Sequence, residues 1–378
     1  MDEGGVRPRS NLEKLTHYVA GKRPAQVAGH EGRVAIKLAS NETPFPPHEA
    51  VLLSVQRAAS ELNRYPDITS RAVTEAIARR YGLEPAQVTV NTGSVALIHN
   101  LIDAVAGSGD EVVYAWPSFN AYVRAVTIAG AISVQVPLTD HRHDLKAMAT
   151  AITERTKVVI VCNPNNPTST VVGGDELESF LDAIDSRVLV VLDEAYREFV
   201  TDPRARDGIS LMAGRENVAI LRTFSKAFGL AGLRLGFCAT SPALTDVLRR
   251  LVYPFAVSSV AQAAAITCLD KAVEQDLMAR VDFVIQERSR VEGGLRGLGY
   301  EVPHSETNFV WVPVSDAAEF AQELEAAGVI VRPMGSGVRI TIGTSEENDA
   351  LISAVRELTS RHAPNTTTLG EPTGGSST

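Results

Sequence analysis

The stretch "KVVIVCNPNNPTST" (157–170) decides the fold. Its apolar, mostly β-branched run from Val158 to Cys162 has no polar alternation, as in a strand buried on both faces, and it stops at a proline-rich turn carrying Asn165 and Asn166. Such a strand needs helices above and below it, which places it in a mostly parallel sheet. Working outward, short β-branched runs recur in "QVTVNTG" (87–93), "DEVVYAWP" (110–117), "AISVQVPL" (131–138), "RVLVVLDEAY" (187–196), "NVAILRTFSK" (217–226) and "LGFCATS" (235–241), several of them nearly all apolar. Between them, "VALIHNLIDAVAG" (95–107) and "GDELESFLDAID" (174–185) carry apolar residues at helical spacing. The expectation is an α/β chain built on a mostly parallel seven-stranded sheet.

After about residue 260 a long helical stretch gives way to "NFVWVPV" (308–314), "GVIVRPM" (328–334) and "GVRITIG" (337–343), three short strands of a smaller α+β domain. The expected organisation is an N-terminal segment, 1–45, that joins the smaller domain or reaches a partner subunit; a large domain, 46–260; a small domain, 261–361; and a tail, 362–378. The tail's "APNTTTLGEPTGGSST" is too poor in apolar residues to order itself.

Composition narrows the function. The 378 residues are 44% hydrophobic and 21% charged, with a net charge of −9. That acidity argues against nucleic acid or an anionic membrane as partner. Cys162, Cys238 and Cys268 lie far apart without metal-ligand spacing, so no metal site is expected and they read as reduced, buried thiols. With no apolar leader in "MDEGGVRPRS" and no membrane-length apolar run, the expected location is the cytoplasm. "HRH" (141–143) reads as a solvated turn, and "GSGDEV" (107–112) is a turn lacking the third glycine of a dinucleotide fingerprint.

In a doubly wound sheet, ligands bind beyond the carboxyl ends of the strands. Three strand ends here carry unusual side chains: Asn165 and Asn166 after one, Asp193 with Tyr196 three residues on after another, and Ser225-Lys226 after a third. Singly these are a turn, a helix cap and a surface lysine. Together they bring an amide, a carboxylate, a phenol and a lysine to one rim. A buried carboxylate wants a cation, and a lysine doing covalent work wants an electrophile. Pyridoxal phosphate offers both: a ring nitrogen protonated beside Asp193, and an aldehyde for Lys226. Asn166 and Tyr196 would then meet its phenolic oxygen. The turn at Gly93-Ser94-Val95, opening a helix, would cradle its phosphate, closed on the other side by Ser225 and by Arg234, two helical turns past Lys226. Phe119 of "WPSFNAY" (116–122) is the candidate to stack on its ring.

The set Asn166, Asp193, Tyr196, Lys226 and Arg234, in this order and spacing, resembles the fold-type I pyridoxal-phosphate aminotransferases, and within them the histidinol-phosphate aminotransferase-like group. The resemblance runs from about Leu15 to Leu358 and includes "YVAGK" (18–22), "KLASNETPF" (37–45), "NRYPD" (63–67), "LDEAYREF" (192–199), "FSKAFGLAGLRLG" (224–236), "ETNFVWV" (306–312) and "VRITIG" (338–343). It implies Lys226 as the Schiff-base lysine and proton shuttle, Asp193 as the partner of the ring nitrogen, and Ser94, Val95, Ser225 and Arg234 as phosphate holders. It also implies a homodimer with shared active sites, in which Tyr65 reaches the neighbouring subunit's cofactor. Arg339 matches the arginine that binds the substrate carboxylate, or in histidinol-phosphate enzymes helps hold the substrate's other end, and Asn41 and Tyr18 sit where the N-terminal segment borders the substrate.

Three departures from the usual histidinol-phosphate pattern bear on the substrate: "NETPFPP" (41–47), "GSVA" (93–96) in place of Gly-Ser-Asp-Glu, and Ser169 in place of a glycine in "NPTST" (166–170). With Val95 and Ala96 that wall is more apolar, and the whole is more like the aromatic (phenylalanine) branch of the group. The expected reaction moves an amino group between an aromatic L-amino acid (phenylalanine, tyrosine or tryptophan) and 2-oxoglutarate or an aromatic 2-oxo acid. The alternatives are a histidinol-phosphate aminotransferase of histidine biosynthesis and a threonine-phosphate decarboxylase.

Overall fold

The computed structural model describes residues 6–15, 17 and 35–362. Tyr18 and the tail from 363 lie outside the described residues. In chain order the strands are β1 (Ile36–Lys37), β2 (Val88–Asn91), β3 (Glu111–Trp116), β4 (Ile132–Pro137), β5 (Thr156–Cys162), β6 (Leu189–Asp193), β7 (Val218–Thr223), β8 (Gly236–Ala239), β9 (Phe309–Pro313), β10 (Val329–Ile330), β11 (Arg332–Pro333) and β12 (Gly337–Thr341).

Each of the seven apolar runs is a strand of one sheet, ordered β2, β8, β7, β6, β5, β3, β4. From β7 to β4 all pairs are parallel, while β8 runs antiparallel to both of its neighbours. The alternation of side chains splits the core into two layers. Val112 and Tyr114 pack with Leu97, Ile98 and Leu101 of helix Ser94–Val105, whereas Val113 and Ala115 pack with Leu145, Met148 and Leu177. Both faces are therefore covered, which is why the central strands lack polar alternation. The register sets Cys162 beside Asp193 and Asp193 beside Leu221, so the turns after β5, β6 and β7 open on one edge.

The remainder builds around the 27-residue helix Lys271–Gly297 and an antiparallel sheet ordered β11, β12, β9. "GVIVRPM" is not one strand. Val329–Ile330 pairs in parallel with β1, and after Val331 the chain changes partner, so that Arg332–Pro333 pairs with β12. Pro333, with no N–H to give, sits on the edge strand of its sheet. The N-terminal segment also divides: β1 forms a separate two-stranded sheet with β10, while Arg9 and Asn11 donate to the carbonyls of Ile128 and Thr127, both within helix Ala121–Ala129 against the large sheet.

Two local expectations are corrected. Residues 226–236 are not helical: Gly229 (φ +69°) and Arg234 (φ +57°) take left-handed conformations around a single 3₁₀ turn, Ala231–Leu233, before β8 begins. His143 is not solvated. It is buried and its Nε2 meets Asn165 Oδ1 at 3.1 Å, and burial lowers its pKa to about 4.

Candidate active site

A cavity of about 280 Å³ opens at the carboxyl edge of β5, β6 and β7, close to the ~300 Å³ lower end of small-molecule sites. Ser94, Val95, Phe119, Asn166, Asp193, Tyr196, Ser225, Lys226, Arg234, Arg339 and Asn41 all line it. Tyr65 does not; it lies on the surface, stacked on Phe255 with ring centroids 4.5 Å apart.

At one end are groups suited to an anion. Helix Ser94–Val105 begins at the cavity, where Ser94 and Val95 line the wall, and its cap residue Gly93 has φ +83°. Arg234 Nη1 donates to Ser225 Oγ at 3.4 Å and to Ala231 O at 3.0 Å. The guanidinium lies so close over Gly93 that a Cβ there would come within 2.6 Å of Nη2. Gly236 has the matching role behind the helix start, since a Cβ on it would meet Ser94 N at 2.5 Å. The left-handed turn at Arg234, rather than a shared helical face with Lys226, brings the cation to this end.

At the other end Asp193 closes β6, 2% exposed. Tyr122 donates its hydroxyl to Oδ2 at 2.7 Å, and the Ala195 N–H reaches Oδ1 at 3.3 Å. No cation pairs with it among the described residues, and burial raises its pKa to about 6. Lys226 stands at the strand end after β7, its Nζ donating to the carbonyls of Asn41 (3.2 Å) and Ser40 (3.5 Å). Desolvation, then the nearby Arg339 and Arg234 charges, lowers its pKa to about 7.

The third wall is polar and tightly knit. Tyr196 OH accepts from Asn41 Nδ2 at 2.9 Å and Asn166 Nδ2 at 3.5 Å, and Asn166 Oδ1 accepts from Arg339 Nη1 at 2.6 Å. Arg339 also donates to Ala39 O at 3.1 Å. Asn41 takes φ +54°, a conformation that asparagine tolerates, and is pinned by Thr341 and by Asn308, which donates to its carbonyl. Ser169, in the place of the family's usual glycine, has φ +64°, so the left-handed turn survives the substitution; its hydroxyl is spent on Thr168 O at 2.6 Å. Asn165, by contrast with Asn166, faces away from the cavity into a buried set with Ser118, His143 and Thr168.

Sequence reasoning passed over Tyr122, Arg332 and Glu42. Tyr122 follows Phe119 at helical spacing, the one signal that the two share a face. Arg332 lines the cavity because it is the cross-strand partner of Arg339.

These donors fit pyridoxal phosphate. An acid with no cation beside it among the described residues, an amine hydrogen-bonded to backbone carbonyls, and a glycine-floored anion cradle match its ring nitrogen, aldehyde and phosphate.

Comparison with known proteins agrees. The family model for aminotransferase class I and II matches residues 33–355. An aromatic amino acid aminotransferase of Thermobifida fusca (strain YX) is 48% identical over 356 residues, covering 94% of this chain and 98% of its own. One from Streptomyces coelicolor is 48% identical over 360 residues, covering 94% and 99%. Among solved structures, histidinol-phosphate aminotransferase from Sinorhizobium meliloti in complex with pyridoxal-5'-phosphate superposes with a TM-score of 0.85 at 27% identity, covering 95% of this chain and 99% of that one. From its sheet to its cavity, and across nearly its whole length, the chain belongs to the class I and II aminotransferases.

Proposed function

We propose that this aminotransferase uses pyridoxal phosphate to move an amino group between an aromatic L-amino acid and 2-oxoglutarate or an aromatic 2-oxo acid. The observation that carries the reading is the single cavity that joins Lys226, Asp193 and the Ser94–Arg234 cradle. The aromatic substrate is supported by relatives of that name at 48% identity and by the apolar Val95 and Phe119 on the cavity wall.

When bound, the cofactor supplies an electron sink for the carbanion left as the substrate's α-proton departs. The chain does the rest. Ser94, Val95, Ser225 and Arg234 hold the phosphate, Phe119 covers one ring face, and Asn166 and Tyr196 meet the phenolic oxygen. Asp193 meets the ring nitrogen and keeps it protonated. Lys226 is the covalent anchor, and with a pKa of about 7 its amine is substantially neutral near pH 7, so Nζ can accept the α-proton and return it elsewhere. Arg339 takes the substrate carboxylate. Arg332 beside it gives that wall a second cation, suited to a substrate with a second acidic group such as 2-oxoglutarate.

The same arginine pair favours one other reading, histidinol phosphate, whose phosphate it would also suit. Steady-state kcat/KM for phenylalanine, tyrosine and histidinol phosphate, each with 2-oxoglutarate, separates the two: preference for histidinol phosphate overturns the aromatic assignment. Carbon dioxide release without oxo-acid consumption would instead mark a decarboxylase.

The division at about residues 45 and 260 is part of this proposal, supported by the large sheet lying wholly within 88–239 and by β9, β11 and β12 lying after 308. So is a homodimer. Tyr65, Ile68, Tyr253 and Phe255 leave an exposed apolar face on this chain, as expected where a second copy packs and Tyr65 reaches its cofactor. Mixing Tyr65→Ala with Lys226→Ala subunits tests it: if Tyr65 serves the other subunit's site, each mixed dimer has one complete site and activity rises on mixing, whereas sites that are not shared leave both damaged and no gain. No described helix is long and apolar enough to cross a membrane, and the free, buried cysteines accord with a cytoplasmic enzyme.

A further inference from the structure

Tyr122 has no part in the roles assigned above, yet it is fully buried and its hydroxyl sits 2.7 Å from Asp193 Oδ2. A phenylalanine would fill the same apolar space without the cost of desolvating a hydroxyl, so the hydroxyl's short hydrogen bond to Asp193 needs a reason. The ring cannot swing away. Tyr114 packs edge-on at 5.8 Å and Phe119 at 5.7 Å, and Phe119 is the residue that covers the cofactor's ring face. Burial raises the phenol well above its usual pKa, so the hydroxyl stays a donor throughout the working range.

The surroundings leave Tyr122 as the main tuning contact on this acid. Cys162, the cross-strand neighbour on β5, is a neutral thiol that burial pushes up to about 12. Glu194 turns to the other side of the strand and pairs with Arg222 at 2.7 Å. The Ala195 N–H is a long contact at 3.3 Å. A donor to a carboxylate oxygen stabilises its ionised form and weakens it as a base.

We propose that Tyr122 is a positioning residue: its hydroxyl aims the Asp193 carboxylate and fixes on which side of the Asp193–ring nitrogen pair the shared proton rests. This rests on the proposed cofactor reading, in which the ring must stay protonated to accept electrons. Without the hydroxyl, the proton shifts toward Asp193 and the ring accepts electrons less well.

The test uses Tyr122→Phe, Asp193→Asn and the double variant, with Tyr114→Phe as a control for removing a buried hydroxyl elsewhere. In the cofactor-free protein, the Asp193 carboxyl resonance of ¹³C-aspartate-labelled Tyr122→Phe should titrate about one pH unit or more higher than in the parent, the size expected for one hydrogen bond to a charged acceptor. In the loaded enzyme, kcat should fall about tenfold with KM within about twofold, one unit of proton affinity being a factor of ten. In the Asp193→Asn background the same change should alter kcat by less than about twofold. Tyr114→Phe should leave all three readouts where they were. An unmoved Asp193 titration, or an equal fall in kcat in the Asn background, overturns the proposal. Should the parent protein fail to bind pyridoxal phosphate, the cofactor reading falls on its own, and the titration still decides whether Tyr122 governs Asp193.

Discussion

Replacing Asp193 with asparagine should slow catalysis severely, to a low but measurable rate, and yet stabilise the cofactor-free protein at neutral pH. The carboxyl is 2% exposed with no cation beside it, and its pKa stands at about 6 in the fold against 3.8 for the free side chain. Two pH units and a little more correspond to about 3 kcal/mol. The sign follows from proton uptake: between 3.8 and about 6 the folded state holds more protons than the unfolded one, so stability falls as pH rises through that window and stays low above it. Asparagine escapes this penalty but sets an amide N–H₂ against the Ala195 N–H or the Tyr122 hydroxyl, a loss of about 1 kcal/mol. The net expectation is a variant about 0.4 kcal/mol less stable than the parent at pH 4, where part of the penalty is already present, and about 2 kcal/mol more stable at pH 7. His143 titrates across part of the same range with the opposite sign, its folded pKa of about 4 lying below the usual 6.5, but it does so in both proteins and cancels in the difference. Lys226, lowered to about 7, is protonated in both folded and unfolded states below that pH, so it adds little pH dependence over this range, and it too is common to both proteins. The assay is urea unfolding of cofactor-free protein from pH 4 to 7 at fixed protomer concentration. A difference that stays flat across this range refutes the reasoning. Adding pyridoxal phosphate should reverse the order at pH 7, because the ring nitrogen then supplies the missing cation.

Lys226→Ala should cost several orders of magnitude in turnover, since anchor and proton carrier vanish together; steady-state rates at saturating cofactor check this, and near-normal activity would remove Lys226 from the chemistry. Arg234→Lys should weaken cofactor binding about tenfold or more in equilibrium dialysis, because an ammonium cannot serve Ser225, Ala231 and a phosphate from one planar fork. Gly93→Ala should weaken it as well, since its Cβ would displace Nη2 of Arg234 from 2.6 Å and force an unfavourable φ of +83°; unaltered affinity would show that the guanidinium does not rest on this turn.

The large sheet was legible because a strand buried on both faces must be written in apolar, often β-branched residues, and the central runs, β3, β5, β6 and β7, carry that mark, while the edge strand β4 keeps Ser133 and Gln135. Asn166, Asp193 and Lys226 were legible because strand ends in such a sheet converge on one edge. What escaped depends on contacts distant in sequence. Nothing local marks Tyr122 as the partner of Asp193, 71 residues away, or His143 as the buried partner of Asn165. The cations Lys226 and Arg234 share a cavity as expected, but by way of left-handed turns at Gly229 and Arg234 that a helical spacing count cannot reveal. "GVIVRPM" is apolar enough for one strand; its break at Val331 comes from pairing with β1, nearly 300 residues earlier.

That same pairing dictates when the site can be finished during synthesis. The cradle, Asp193 and Lys226 all come from residues 93–234, which can gather while the ribosome is still making the rest. The wall formed by Ala39, Ser40, Asn41 and Glu42 cannot, because Asn41 is held by Thr341, 300 residues downstream, and Leu38 by Ile330. The first-made part of the pocket lining is thus the last to be seated, and a nascent chain has its phosphate cradle before it has a substrate side.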